Sequence, residues 1–342
     1  MSRMNVFRVL VGAWLTALLF SARAVAAEAD QQPAPPPDQQ AVAAAEQPAD
    51  PPADEKGPPL PFQTIEGYGG GAITPFAYLV NPGKEECPWG KPAGALSFVD
   101  ARQKDLAAIT VSETLFARVE LSYGADRLGL GTFPADVAKY APPLSIEEDS
   151  VWLHNFNIRT LLVKENDCFF GFQAPAITAG IQVKYNSDIA HINTELPGIL
   201  PSLGYHRDYG ADFTLTMTKT FPKLLLDRPV VVSGGVRMSE AADIGFLGFG
   251  DTYHATFEGN VSWLPLDKLL LAYEFRQKTG PYGTLPNGAG GYLVGPESDW
   301  HAFDLALIPN KHSTIVAGWA IFGYLADAKA NNSWFFQYKY EY

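Results

Sequence analysis

The last ten residues, S-W-F-F-Q-Y-K-Y-E-Y from Ser333 to Tyr342, constrain the fold more than any other stretch. Trp334, Phe336, Tyr338, Tyr340 and Tyr342 fall on one parity, and Phe335, Gln337, Lys339 and Glu341 fall on the other. Side chains alternate across an extended strand, so this segment has one aromatic face and one mostly polar face. The closing strand of a soluble sandwich rarely carries five large rings on one side and then stops. The aromatic face calls for an apolar surrounding along its whole length.

The same alternation recurs upstream in segments of a length that spans a bilayer as tilted strands. Leu115, Ala117, Val119, Leu121 and Tyr123 alternate with Phe116, Arg118, Glu120, Ser122 and Gly124. Phe213, Leu215 and Met217 alternate with Asp212, Thr214, Thr216 and Thr218. Tyr253, Ala255, Phe257, Gly259, Val261 and Trp263 oppose His254, Thr256, Glu258, Asn260 and Ser262. Leu269, Leu271, Tyr273 and Phe275 face away from Glu274, Arg276 and Lys278. Fainter strands are predicted over 95–102, 106–114, 151–163, 176–185, 230–239, 299–308 and 313–322, giving about twelve with the last one. Connections alternate too. Turns at 112–114, 164–171, 222–229, 264–268 and 309–311 are short or modest, while 125–150, 186–208, 240–251, 279–298 and 323–332 are mostly longer. Short turns at one end and long loops at the other are how outer-membrane barrels are built. The connection 103–105 breaks that rule by being short.

The start of the chain agrees. Arg3 and Arg8 precede an apolar run from Val9 to Phe20, and Ala24-Val25-Ala26 offers small residues for cleavage, so 1–26 is expected to be a secretory signal peptide. No later apolar run approaches the roughly 20 residues of a spanning helix, so a membrane location requires a closed barrel. Loss of three arginines with the signal moves the formal charge from −12 to −15. That balance excludes the basic footprint of a nucleic-acid binder and disfavours a protein held on anionic lipid. Residues 27–61, rich in Ala, Pro and Gln, cannot bury enough apolar surface to offset ordering and are expected to form a disordered linker.

The C-terminal strand resembles the closing strand of bacterial outer-membrane β-barrels, where it is also what the assembly machinery reads. Trp334, Phe336, Tyr338, Tyr340 and Tyr342 would be that signal. A second resemblance rests on F-Q-T-I-E-G-Y-G-G-G-A-I-T-P-F-A-Y-L-V-N-P-G from Phe62 to Gly83, followed by A-D-R-L-G-L-G from Ala125 to Gly131. These segments resemble a proteobacterial family of exported proteins known as a domain of unknown function. That resemblance implies an architecture and carries over no catalytic or binding residues. The glycines at 67, 69, 70 and 71 are not followed by Gly-Lys-Ser/Thr, so a nucleotide loop is disfavoured. Residues 62–94 are expected as irregular backbone packed in or at the mouth of the barrel, and 95–342 as the barrel itself.

Charged strand residues lie opposite the apolar parity. Arg118, Glu120, Arg159, Lys184, Arg237, His254, Glu258, Glu274, Arg276, Lys278, Lys339 and Glu341 would line the lumen, because a charge on the lipid face costs about 2–4 kcal/mol near mid-membrane. They either line a solute path or pair across a narrow interior. A tight turn at 265–268 would bring Glu258 and Glu274 nearly opposite, with Arg276 one step diagonal. Arg276 would then neutralise both, or the pair would need a proton or a cation. No apolar stripe on the lumenal parity suggests a hydrophobic cargo. Cys87 and Cys168 both fall at the short-turn end, where a disulfide would pin 62–92 to the rim, closing about 80 residues for roughly 4 kcal/mol. Two separate free thiols are the alternative.

No G-x-S-x-G, H-E-x-x-H or zinc-like Cys/His spacing is present, and none of the six histidines has an evident serine partner, so no enzymatic role, metal or cofactor is expected. Three functions remain. The chain is a passive outer-membrane channel for a small, unspecified solute, a structural or surface-interaction barrel with an ion-paired lumen, or a secreted soluble all-β binding protein. Either barrel would have outer-membrane lipid as its main partner.

Overall fold

The computed structural model describes residues 62–169 and 172–342. The expected signal peptide and linker lie outside the described residues. Twelve antiparallel strands follow one another around a closed sheet. They are β1 (Ala93–Asp100), β2 (Asp105–Leu115), β3 (Val119–Gly129), β4 (Ser150–Val163), β5 (Ala176–Asn186) and β6 (Tyr209–Leu225). The sheet continues through β7 (Arg228–Ala241), β8 (Phe249–Leu266), β9 (Leu269–Arg276), β10 (Glu297–Leu307), β11 (Ser313–Leu325) and β12 (Ser333–Glu341). Each strand pairs with its neighbour in sequence, and the last pairs with the first through Phe336 opposite Phe98 and Tyr338 opposite Leu96. Closure leaves no free sheet edge, the condition for a strand-built protein to satisfy its backbone in lipid. No helix among the described residues is long and apolar enough to cross a membrane.

Alternation sorts the side chains as the sequence predicts. Phe257 is 64% exposed and Trp334 61%, with Leu271, Phe303, Phe336 and Tyr338 also turned outward, while Glu274 is fully buried. Trp152, Tyr209, Tyr253 and Trp334 ring the long-loop end, and Phe221, Tyr338 and Tyr340 lie towards the other, all exposed. An outward apolar band between two aromatic girdles is the exterior of a transmembrane barrel. A soluble sandwich would bury those rings in a dry centre, so that alternative is set aside.

The strand boundaries need two corrections. The turn after β2 lies at Phe116 and Ala117, both with positive φ, rather than at 112–114, so Leu115 ends one strand and Val119 opens the next. The β6–β7 hairpin turns at Leu226 and Asp227, also with positive φ, and β6 runs on past Pro222 through a register shift. Proline is tolerated at such an irregularity because no ladder hydrogen bond is required of it there.

The long connections fold over one mouth of the barrel. Helices α1 (Phe133–Tyr140), α2 (Ile189–Glu195) and α3 (Ile199–Leu203) turn Phe133, Val137, Ile189, Ile192, Leu200 and Leu203 inward. These side chains join one apolar cluster that continues through Phe246 and Phe249 into the lumen. Lys104 in the short β1–β2 connection reaches Asp327 at 2.8 Å, tying that side of the cap down.

Candidate functional site

The lumen is occupied by the chain itself. From Phe62 to Val80 nearly every side chain is buried, and the polar groups of the segment are answered by inward-facing side chains of the strands. Three carboxylates organise the contact.

Glu274, on β9, accepts from the consecutive backbone N–H groups of Ala72 (2.6 Å), Ile73 (3.1 Å) and Thr74 (2.8 Å), and from the Thr74 hydroxyl (2.5 Å). Successive amides converging on one carboxylate form an anion nest. Gly71 makes the approach possible, since a Cβ there would fall 2.2 Å from the Glu274 Oε2. The β8–β9 register sets Glu274 opposite Asn260, and Asn260 donates to the Thr74 hydroxyl at 2.9 Å. Glu258 pairs instead with Arg276, so the expected Glu258–Glu274 apposition is not made. The hairpin closes with Leu266 opposite Leu269, and the register shift between Trp263 and Leu266 takes back one residue, which leaves Glu258 facing Arg276 and two residues from Glu274 along β9.

Glu120, on β3, is held by the Arg159 guanidinium of β4 through Nε at 2.9 Å and Nη2 at 2.7 Å. It also accepts from the N–H of Gly69 (3.3 Å) and of Val80 (2.7 Å), clasping both limbs of the segment. Arg159 completes the clasp by donating to the carbonyls of Phe76 and Tyr78, and stands 5.1 Å over the Tyr68 ring.

The third carboxylate, Glu66, belongs to the segment. Lys184 Nζ of β5 lies 2.5 Å from its Oε1, and Arg276 of β9 grips Oε2 at 2.6 Å and Oε1 at 3.2 Å. Arg237 of β7 stands 3.4 Å from Oε2. The sequence reading did not single out Glu66. A signal was there: it is the one charged residue between Phe62 and Gly83. Asp212, Asp126 and Asp304 are further buried acids that it did not count among the lumen residues, and Asp304 lies in hydrogen-bonding contact with Glu274.

Other contacts are neutral. Gln337 of β12 exchanges two hydrogen bonds with the Gln63 backbone, and Thr218 and Ser233 meet Ala77 N–H and Pro75 C=O. At the short-turn rim, Tyr78 donates to Glu165 at 2.6 Å and Gly90 N–H to Thr114 C=O at 2.6 Å.

Of the residues expected in the lumen, Glu120, Arg159, Lys184, Arg237, Glu258, Glu274, Arg276 and Lys339 are buried there. His254 keeps the inward parity but is only half-buried near the long-loop mouth, and Glu341 is half-buried at the other end, 2.5 Å from Lys339. Arg118 does not point inward: it sits in the β2–β3 turn, 41% exposed, with Glu85 at 3.6 Å. Lys278 lies just past β9, between Asp243 and Glu297. The bridge between Cys87 and Cys168 is not made, since both thiols are free and exposed. Carboxylates and guanidinia, rather than a covalent clamp, hold the segment.

The lumen also has an apolar side that the sequence reading missed. Val99, Leu106, Trp300, Phe322 and Phe335 face inward from β1, β2, β10, β11 and β12, and close with Ile65 and Ile73 around a void of about 30 Å³. In the cap above, Asp243 is held by the N–H of Ala326 at 3.2 Å. Burial, reinforced by nearby Glu297, raises its carboxyl to about 7 against the pull of Lys278. Among the described residues, none of the histidine hydrogen bonds goes to a serine: His154 and His301 face outward and bond Tyr123 and Tyr273.

A closed twelve-stranded sheet, an apolar outer band and an interior filled by the segment preceding the first strand define a plugged transmembrane β-barrel. The chain belongs to the family described as "Protein of unknown function (DUF3034)", which matches residues 61–339. No curated protein matches the sequence. Among solved structures, it is similar to a KdgM porin at 10% identity, covering 73% of this chain and 99% of that one, with a TM-score of 0.42. A NanC porin follows at 8% identity, 73% and 98% coverage and a TM-score of 0.38. Outer membrane phospholipase A from Escherichia coli stands at 7% identity, 79% and 99% coverage and a TM-score of 0.34. Resemblance this remote decides nothing about solute or activity.

Proposed function

We propose that this protein is a bacterial outer-membrane channel for small solutes, closed at rest by residues 62–80 and without enzymatic activity. The outward apolar band supports the membrane placement, with the short turns on the periplasmic side, and Trp334, Phe336, Tyr338, Tyr340 and Tyr342 on the closing strand as the assembly signal. The observation that carries the channel reading is how the lumen is filled. A permanently solid interior is most cheaply built from apolar side chains, since ions taken out of water carry a desolvation penalty of several kcal/mol each. Here a separate segment fills the space and charged wall groups answer its polar atoms, so its departure uncovers a charge-lined path.

The cap favours a second reading, a structural barrel whose external loops meet a partner, because its apolar core covers the mouth. Planar-bilayer recordings separate the two. The full chain is expected to be silent. The chain lacking 62–80, alone or with the 277–296 loop shortened, is expected to give single-channel steps. Silence from both shortened chains overturns the channel reading in favour of the structural one.

A further inference from the structure

Three buried bases of the wall, Lys184, Arg237 and Arg276, converge on Glu66, and two wall acids are in contact with them. Asp212 lies 2.8 Å from Lys184 Nζ and 3.0 Å from Arg237. Glu258 lies 3.0 Å from Arg237 Nε and 4.0 Å from Arg276 Nε. Asp126 on β3 is buried within electrostatic reach of Lys184 and Glu66, and Asn155 donates to it at 2.8 Å. The three bases are each nearly inaccessible to solvent, and among the described residues Glu66 is the one carboxylate in contact with all three. Arg276 meets it in a two-pronged fork, the geometry that selects a planar carboxylate, while the lysine supplies a point charge on one oxygen.

We infer that the barrel wall carries a binding site for a small organic carboxylate, built from Lys184, Arg237 and Arg276, and that Glu66 occupies it as a tethered surrogate ligand. The inference rests on the proposed channel reading for its physiological meaning, since the site opens to solutes only when 62–80 leaves. Its chemistry follows from the wall alone. With Glu66 withdrawn, the Arg276 fork and the Lys184 ammonium stay aimed at the place its carboxylate held. Such a preset arrangement takes up a carboxylate in place of Glu66, because the two-pronged, charge-assisted hydrogen bonds are already oriented for it. The wall acids Asp212 and Glu258 narrow the choice to an anion compact enough to reach the fork without facing them. The closing segment and the solute therefore compete for one site, and the solute favours the open state by its affinity for that site.

The test is rescue by a free carboxylate. Glu66→Ala, folded in lipid or detergent, is melted in sodium acetate, in acetamide plus sodium chloride, and in sodium chloride alone, at equal ionic strength. Acetate is expected to raise its Tm by about 2–4 °C over the other two, to leave the parent protein unmoved, and to lose its effect when Arg276→Gln is added. Equal response to acetate and acetamide, or an equal rise in the parent protein, overturns the site. If Glu66→Ala does not assemble, the chain lacking 62–80 serves: acetate is expected to reduce its chloride current, and Arg276→Gln to relieve that block. Conductance that acetate leaves untouched sinks the site and spares the channel. Acetate rescue in a chain that never conducts does the reverse.

Discussion

The two sides of the lumen hold the same segment by different physics. From β3 to β9 the wall offers Glu120, Arg159, Lys184, Arg237 and Glu274, each buried and each aimed at a particular backbone or side-chain group of residues 66–80. From β10 round to β2 it offers Trp300, Phe322, Phe335, Val99 and Leu106, which meet Ile65 and Ile73 through shape alone. Directional contacts are lost together when the segment shifts by an ångström or two, whereas apolar contacts tolerate sliding. The charged side therefore specifies where the segment sits, and the apolar side seals around it and joins the cap.

That contrast can be broken most sharply at Glu274. Glu274→Ala leaves three N–H groups and a hydroxyl without their acceptor, an expected loss on the order of 5 kcal/mol. The loss should appear as a lower Tm together with new protease cleavage within 62–80; a fall in Tm with the segment still protected would show that the apolar side alone positions it. Phe322→Ala is the matching change opposite, where the ring packs edge-on against Trp300 at 4.8 Å. Burial predicts a cost of about 3–5 kcal/mol with 62–80 still protected, and exposure of the segment in this variant would erase the distinction between the two sides.

A smaller effect belongs to the cap. Asp243 titrates near 7 in the folded protein against 3.8 ordinarily, so the folded state holds a proton that the unfolded state releases. Its contribution is fully present below about pH 4 and is lost as pH rises through 7. Hydrogen exchange in 242–248 should therefore quicken between those values, and Asp243→Asn should flatten the dependence; an unchanged profile in that variant would assign it to another group.

Much of the barrel was legible because the bilayer penalises errors at the same parity in every strand. Tyr253 to Trp263 and Leu269 to Phe275 alternate cleanly, and both faces came out as read. Legibility failed where both parities are apolar. Alternation sets Phe335 on the inward parity with Gln337 and Lys339, but nothing local says that it meets Trp300 and Phe322 in a buried apolar cluster. The candidate site was legible in its wall residues and not in its occupant. Lys184, Arg237, Glu258 and Arg276 lie in the buried wall, but the register that separates Glu258 from Glu274 is set by where the hairpin closes, at Leu266 opposite Leu269, which alternation does not specify.

The sequence by itself determined the class of fold and which side of each strand meets lipid, because a two-residue period and a hydrocarbon solvent leave few alternatives. Only the tertiary structure decided what the lumenal charges do. Their partners lie up to 210 residues away along the chain, as Glu66 and Arg276 do. Closure of the sheet and entry of the segment bring such groups to bonding distance, and neither event leaves a periodic trace in the sequence.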